Sequence, residues 1–101
     1  MSNKIAIEIL KYGLKRMNNG KNWCKGNYTD DAGSYCAIGS MMGHTKWHEN
    51  EFYIRCSLKD FVQKEPGCRN IGGVAIFNAR KTTKSEDVKR VFTKTIKYLG
   101  G

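Results

Sequence analysis

Apolar positions recur along much of this chain at helical spacing, in segments separated by clusters of turn-forming residues. In the first segment Ala6, Leu10, Gly13, Leu14 and Met17 fall three or four residues apart, and Ile5 and Ile9 widen the stripe. Lys4, Glu8, Lys11 and Lys15 occupy the opposite face. This pattern predicts a helix from about Asn3 to Met17. Asn18-Asn19-Gly20 would stop it, because Asn and Gly tolerate the left-handed backbone common at helix C-termini.

Residues 22–35 are rich in turn formers, with Thr29-Asp30-Asp31-Ala32-Gly33 suited to a tight turn, and a short hairpin is expected around it. Ser34 reads as the N-cap of a short helix, Tyr35–Met42, closed by Gly43. A third helix is expected from Lys46 to Val62 with Thr45 as its cap, burying Trp47, Ile54, Leu58, Phe61 and Val62. Within it Phe52-Tyr53-Ile54 also has strand character, and Pro66-Gly67 ends the segment under either reading. Gly72-Gly73-Val74-Ala75-Ile76-Phe77 suits a buried strand or a turn. The last helix has the clearest signature. Thr83-Lys84-Ser85-Glu86 matches a capping box, and Val88, Val91, Phe92, Thr95, Ile96 and Leu99 follow at helical spacing, with Lys89, Arg90, Lys94 and Lys97 outside the stripe. The expected fold is therefore a single helix-rich α+β domain over residues 1–101, with about four helices, a short hairpin or irregular β segment and one core.

Composition agrees with a globular domain: 101 residues, 40% hydrophobic and 27% charged. No apolar run approaches the roughly 18 residues of a membrane span. Ile5–Leu10 is interrupted by Glu8 and is followed by no small-residue cleavage site, so a cytoplasmic location is expected. Reduced thiols are then expected at Cys24, Cys36, Cys56 and Cys68. Their spacing is far wider than the about two to four intervening residues of zinc motifs, and they read as small buried hydrophobes. His44 and His48 share a helical face and, with Cys36 or Cys24, are the only candidate metal ligands. Neither a metal nor a cofactor is predicted.

Charge adds more. The net charge is +9, and it is unevenly placed. Residues 1–29 hold six Lys or Arg and one acidic residue, residues 30–68 hold four and six, and residues 69–101 hold eight and two. The two ends of the chain are thus expected to build one positive surface from Lys11, Lys15, Lys89, Arg90, Lys94 and Lys97. The plain alternative is that these side chains merely solvate helix faces.

Trp23-Cys24-Lys25-Gly26, a turn, and then Cys36-Ala37-Ile38-Gly39-Ser40 resemble the Trp-x-x-Gly…Cys-Ala-x-Gly-Ala pattern of a small uncharacterised domain family of actinobacteria and phages. Phe77-Asn78-Ala79 and Glu86-Asp87-Val88 occupy the order of that family's C-terminal features, and the likeness covers about two thirds of the chain. Ser40 stands where the pattern has Ala, and Ala79 where it has Asp. The resemblance implies a phage or mobile-element origin and supplies no activity. Trp23, Cys36 and Asn78 would converge if the last helix packs near the hairpin, forming either a small pocket or a structural bracket.

Three functions follow as expectations. The first is a basic binding protein acting on nucleic acid or on a nucleic-acid-handling complex, such as a host-defence system that it inhibits. The second is a binder of a small anionic signalling nucleotide, with Trp23 or Trp47 stacking on the base. The third is a small enzyme using Cys36 with His44 or His48 as base. No orienting residue accompanies that dyad and Gly72-Gly73 lacks a phosphate-loop lysine, so catalysis is not expected.

Overall fold

In the computed structural model, which describes residues 3–30 and 32–101, the chain forms α1 (Lys4–Arg16), a 3-10 turn (Asn18–Gly20), α2 (Ala37–Met42), α3 (Trp47–Val62), α4 (Val74–Ala79) and α5 (Ser85–Leu99). No strand or sheet is present among the described residues, so the expected α+β architecture, with its hairpin and about four helices, is corrected to an all-helical one with five.

The long helices form where the apolar stripes predicted them. α1 buries Ala6, Ile9, Leu10 and Gly13, and α5 buries Val88, Val91, Phe92, Thr95, Ile96 and Leu99. They run antiparallel. Gly20, after α1, lies against Ser85 at the start of α5, Gly13 lies against Phe92, and the Asn3 amide donates to the Leu99 carbonyl at 3.2 Å. Gly13 is what allows the close approach. A Cβ there would lie 2.7 Å from Met41 Cγ, 2.8 Å from Ser40 Oγ and 3.2 Å from the Phe92 ring. A mid-helix glycine ordinarily costs about 1 kcal/mol relative to alanine; here it lets α1, α2 and α5 meet at one point. Trp47, Ile54, Leu58 and Val62 of α3 close the same core, and Ile54 settles the Phe52–Ile54 ambiguity, since Phe52 points to solvent and Ile54 inward on one helix.

The predicted hairpin is replaced by an irregular loop. Tyr35 forms single bridges to both limbs, to Trp23 and to Thr29, so neither pairing continues into a ladder. The turn residues act locally instead. Gly26 and Gly33 adopt positive φ, and the Asp30 carboxylate accepts the Ala32 and Ser34 N–H groups. Asp31, part of the expected turn, lies outside the described residues. Ser34, thus engaged, does not cap α2. The Cys36 thiol does, accepting the Gly39 N–H at 3.2 Å, and the helix starts two residues later than expected.

Two other boundaries shift for comparable reasons. Gly72–Phe77 is not a strand: extended Gly73 leads directly into α4, which buries Val74, Phe77 and Asn78 at helical spacing. Six residues are too few for period alone to separate helix from strand. The capping box at α5 lies one residue further on. Asp87, not Glu86, accepts the N-cap N–H, that of Lys84, at 2.9 Å, and Thr83 is buried with its hydroxyl unpaired. Likewise Lys46 rather than Thr45 occupies the N-cap of α3.

Phe92→Ala is expected to lower stability by about 3–5 kcal/mol, because the ring is fully buried at the α1–α5 contact. Gly39→Ala should be as damaging for a different reason: its Cβ would overlap the Tyr28 carbonyl and expel the loop from α2. Urea denaturation of both variants measures this; a midpoint unchanged by Gly39→Ala would mean that the loop is not seated there.

Candidate nucleic-acid interface

The antiparallel register of α1 and α5 sets basic residues of the chain's two ends at matching levels along the two helices. With Gly13 beside Phe92 and Gly20 beside Ser85, Lys15 lies level with Lys89 and Lys11 level with Lys94. Lys11, Lys15, Lys89, Lys94 and Lys97 are exposed, and none of their ammonium groups takes part in a hydrogen bond or ion pair among the described residues. Glu8 and Glu86 are the exposed acidic residues on these two helices, leaving the charge strongly positive.

Arg90 is differently placed from the lysines it was grouped with. Its Nε and Nη2 grip the buried Glu65 carboxylate, with Nη2–Oε1 at 2.5 Å, and Nη2 also reaches Asp87 at 2.6 Å. The planar fork suits this bidentate geometry. Arg90 thereby pins the segment after α3 to α5, and its charge is offset by two carboxylates. Burial pushes the Asp87 carboxyl up, but the Lys84 N–H and the Arg90 guanidinium outweigh that and hold it below the ordinary carboxylate range.

Trp23, Cys36 and Asn78 do converge. The Asn78 side chain is buried at the end of α4, where its Oδ1 accepts Trp23 Nε1–H at 2.6 Å and Ala37 N–H at 3.0 Å, while its Nδ2 donates to the Cys24 carbonyl at 3.2 Å. One amide thus ties the loop to the first turn of α2. Lys25 reinforces it from outside, donating to the Arg80 and Lys81 carbonyls with its ammonium over the Trp23 ring. A shallow cleft of about 330 Å³ lies beside Cys36 and Asn78, bounded by Gly26, Asn27, Tyr28 and Ala75.

The remaining candidates separate. Trp47 is 1% exposed, so its ring face is closed to a base. His44 packs edge-on against Tyr12 and its Nδ1 accepts the Lys46 N–H, and neither histidine hydrogen-bonds to Cys36. The thiols are less buried than expected: Cys68 is buried, Cys24 and Cys36 are half-buried and Cys56 is exposed. Burial, then the Asp30 carboxylate and the Cys36 thiol, push the Cys24 thiol up, which disfavours its thiolate. Among the described residues no three His, Cys, Asp or Glu side chains gather as a metal site would need. Phe52 and Ile76, exposed on α3 and α4, were not singled out in the sequence; their only signal is that each falls off its helix's buried stripe.

Comparison with protein families, curated proteins and solved structures found no match to this chain. Among the described residues, no helix is long and apolar enough to cross a membrane.

Asn78→Ala should cost roughly 3 kcal/mol, since it leaves two N–H donors and a carbonyl without a partner. Trp23→Phe, which removes one of those bonds, should cost roughly 1 kcal/mol. Denaturant midpoints for the pair provide the comparison, and equal effects would show that the amide is not the shared anchor. For Asp87 the sign follows from its depressed pKa: the stability it contributes is present above its unfolded value, about 3.9, and is lost as pH falls through the lower folded value. Asp87→Asn should therefore flatten the acid limb of a stability–pH curve below about pH 4; an unchanged acid limb would place that dependence elsewhere.

Proposed function

We propose that this protein binds nucleic acid through the α1–α5 face. The observation that supports this is the set of five exposed lysines, Lys11, Lys15, Lys89, Lys94 and Lys97, whose ammonium groups have no partner among the described residues. Such groups are free to neutralise phosphates and release condensed counterions.

A polymer suits this face better than a single nucleotide does. The lysines lie along two neighbouring helices rather than around one pocket. α5 has 15 residues, a length of roughly 22 Å at 1.5 Å per residue, whereas a duplex presents a charge about every 1.7 Å along its axis. The face can therefore meet several phosphates at once. Trp47 is closed to stacking, and the Trp23 ring is held by Asn78 and covered by Lys25. An acidic protein of a nucleic-acid-handling complex would meet the same charges.

Affinity for DNA and RNA should fall steeply with salt. Charge reversal at Lys94 and Lys97 should reduce the slope of log affinity against log salt by roughly 2 without altering the melting temperature. Binding to either polymer measured across a salt series, for the parent and K94E/K97E, tests this. Undetectable or salt-insensitive binding by the parent would overturn the nucleic-acid reading and favour the protein partner.

A further inference from the structure

A different surface, on α3 and α4, carries apolar side chains that no described residue covers. Phe52 is 83% exposed, Ile76 57% and Tyr28 57%. Large apolar groups scattered singly need no explanation, whereas groups gathered around a concavity mark interaction sites. These are gathered. Phe52 and Ile76 line a cleft of about 350 Å³ between α3 and α4. Gly72 and Gly73 also line it, and having no side chains they leave it open. The shallower cleft that Tyr28 lines lies beside it, and Ala75 is common to both. One apolar face therefore runs across α4 from Phe52 to Tyr28.

The charge around the α3–α4 cleft indicates what would cover it. Among the described residues its ionic side chains are Arg55 and Lys59, and no carboxylate lines it. Arg55 is shared with Glu51, one turn before it on α3, which leaves Lys59 as the cation of the cleft without a partner among the described residues. A second copy of the chain is a poor occupant, because each copy carries a net charge of +9. A bilayer is flat, whereas two adjoining concavities that share Ala75 suit side chains that project from a folded segment.

We infer that this face docks an acidic amphipathic helix of another protein, its apolar side chains entering the two clefts that share Ala75 and its carboxylates meeting Lys59 and Arg55. Helix-in-groove recognition of this kind draws its affinity from a few apolar anchors and its orientation from the charged rim. The inference does not rest on nucleic-acid binding, which uses the lysines of α1 and α5.

The test uses a synthetic helical peptide with leucine and phenylalanine on one face and glutamate on the other. Two control peptides have glutamine for glutamate, or serine for the apolar residues. Enough salt is added to screen the exposed lysines. Amide shift mapping on the full chain should place the acidic amphipathic peptide against Phe52, Cys56, residues 72–76 and Tyr28. Phe52→Ser with Ile76→Ser should weaken it at least about tenfold, and Lys59→Glu should weaken it by a smaller factor. Both apolar positions are exposed, so the fold should survive, as the unperturbed spectrum would verify. K94E/K97E should leave peptide affinity unchanged. The inference is overturned if the peptide fails to bind, if its shifts map to α1 and α5, or if the groove variants bind it as the parent does. It is equally overturned if the groove variants abolish dimerisation in sedimentation, or abolish binding to phosphatidylserine vesicles, since the occupant would then be a second copy or a membrane.

Discussion

The buried amide of Asn78 is the constraint on which most of the irregular half of the molecule depends. The described residues between 21 and 36 have no ladder of their own, and their backbone groups must find partners singly. Asn78 supplies them at the deepest point: the Trp23 indole, the Cys24 carbonyl and the first N–H of α2 all end on its side chain. That N–H, of Ala37, is one of the orphan donors every helix leaves at its start. Closing the loop and starting α2 are thus one event, and α4 must be in place for either. Gly39 then admits the Tyr28 carbonyl against α2, and Lys25 fastens the outside of the loop to the turn after α4.

Legibility in the sequence followed element length and the range of the interactions. α1 and α5 run through 13 and 15 residues, enough turns for the apolar stripe to state its period, and their boundaries fall within a residue or two of expectation. α4 has six residues, and over that length Val74, Ile76 and Phe77 fit a strand as well as a helix. The expected hairpin failed because Asp and Gly signal a reversal of the chain and not what flanks it. Tyr35 pairs once with each limb, a long-range arrangement that no local pattern encodes. The sequence allows Trp23, Cys36 and Asn78 to meet if the last helix packs near a hairpin, whereas it is α4, packed on an irregular loop, that brings Asn78 there. That their meeting is a saturated set of hydrogen bonds follows only from knowing that the Ala37 N–H and the Cys24 carbonyl face the same amide.

The basic residues divide by chemistry in a way that position along the chain concealed. Arg16 lies over the Tyr12 and Tyr35 rings and donates to Ser40, Arg55 pairs with Glu51 beside Trp47, Arg80 donates to the Cys68 thiol, and Arg90 grips Glu65 and Asp87. Planar guanidinium groups stack and fork, and those of Arg16, Arg80 and Arg90 serve as ties between different segments of the chain. Lys11, Lys15, Lys89, Lys94 and Lys97 are strongly hydrated point charges on flexible stems and stay exposed to solvent. Arg90 sits within the predicted basic cluster by sequence, yet its partner Glu65 lies 25 positions away, beyond the reach of any helical spacing rule.

This division has a consequence for how the two exposed surfaces relate. Lys11, Lys15, Lys89, Lys94 and Lys97, exposed and without a partner among the described residues, lie on α1 and α5, while the exposed apolar face lies on α3 and α4, in and beside the acidic middle block. Two carboxylates of that block, Glu51 and Glu65, are taken up by arginines, and among the described residues no carboxylate lines the α3–α4 cleft. The core stays common to both surfaces: Leu58 and Ile54 back the α3 side, and Phe92 with Gly13 joins α1 to α5. A polyanion on one face would be governed by salt and a partner helix on the other by apolar area. The proposed activities can therefore coexist on 101 residues without competing for the same side chains.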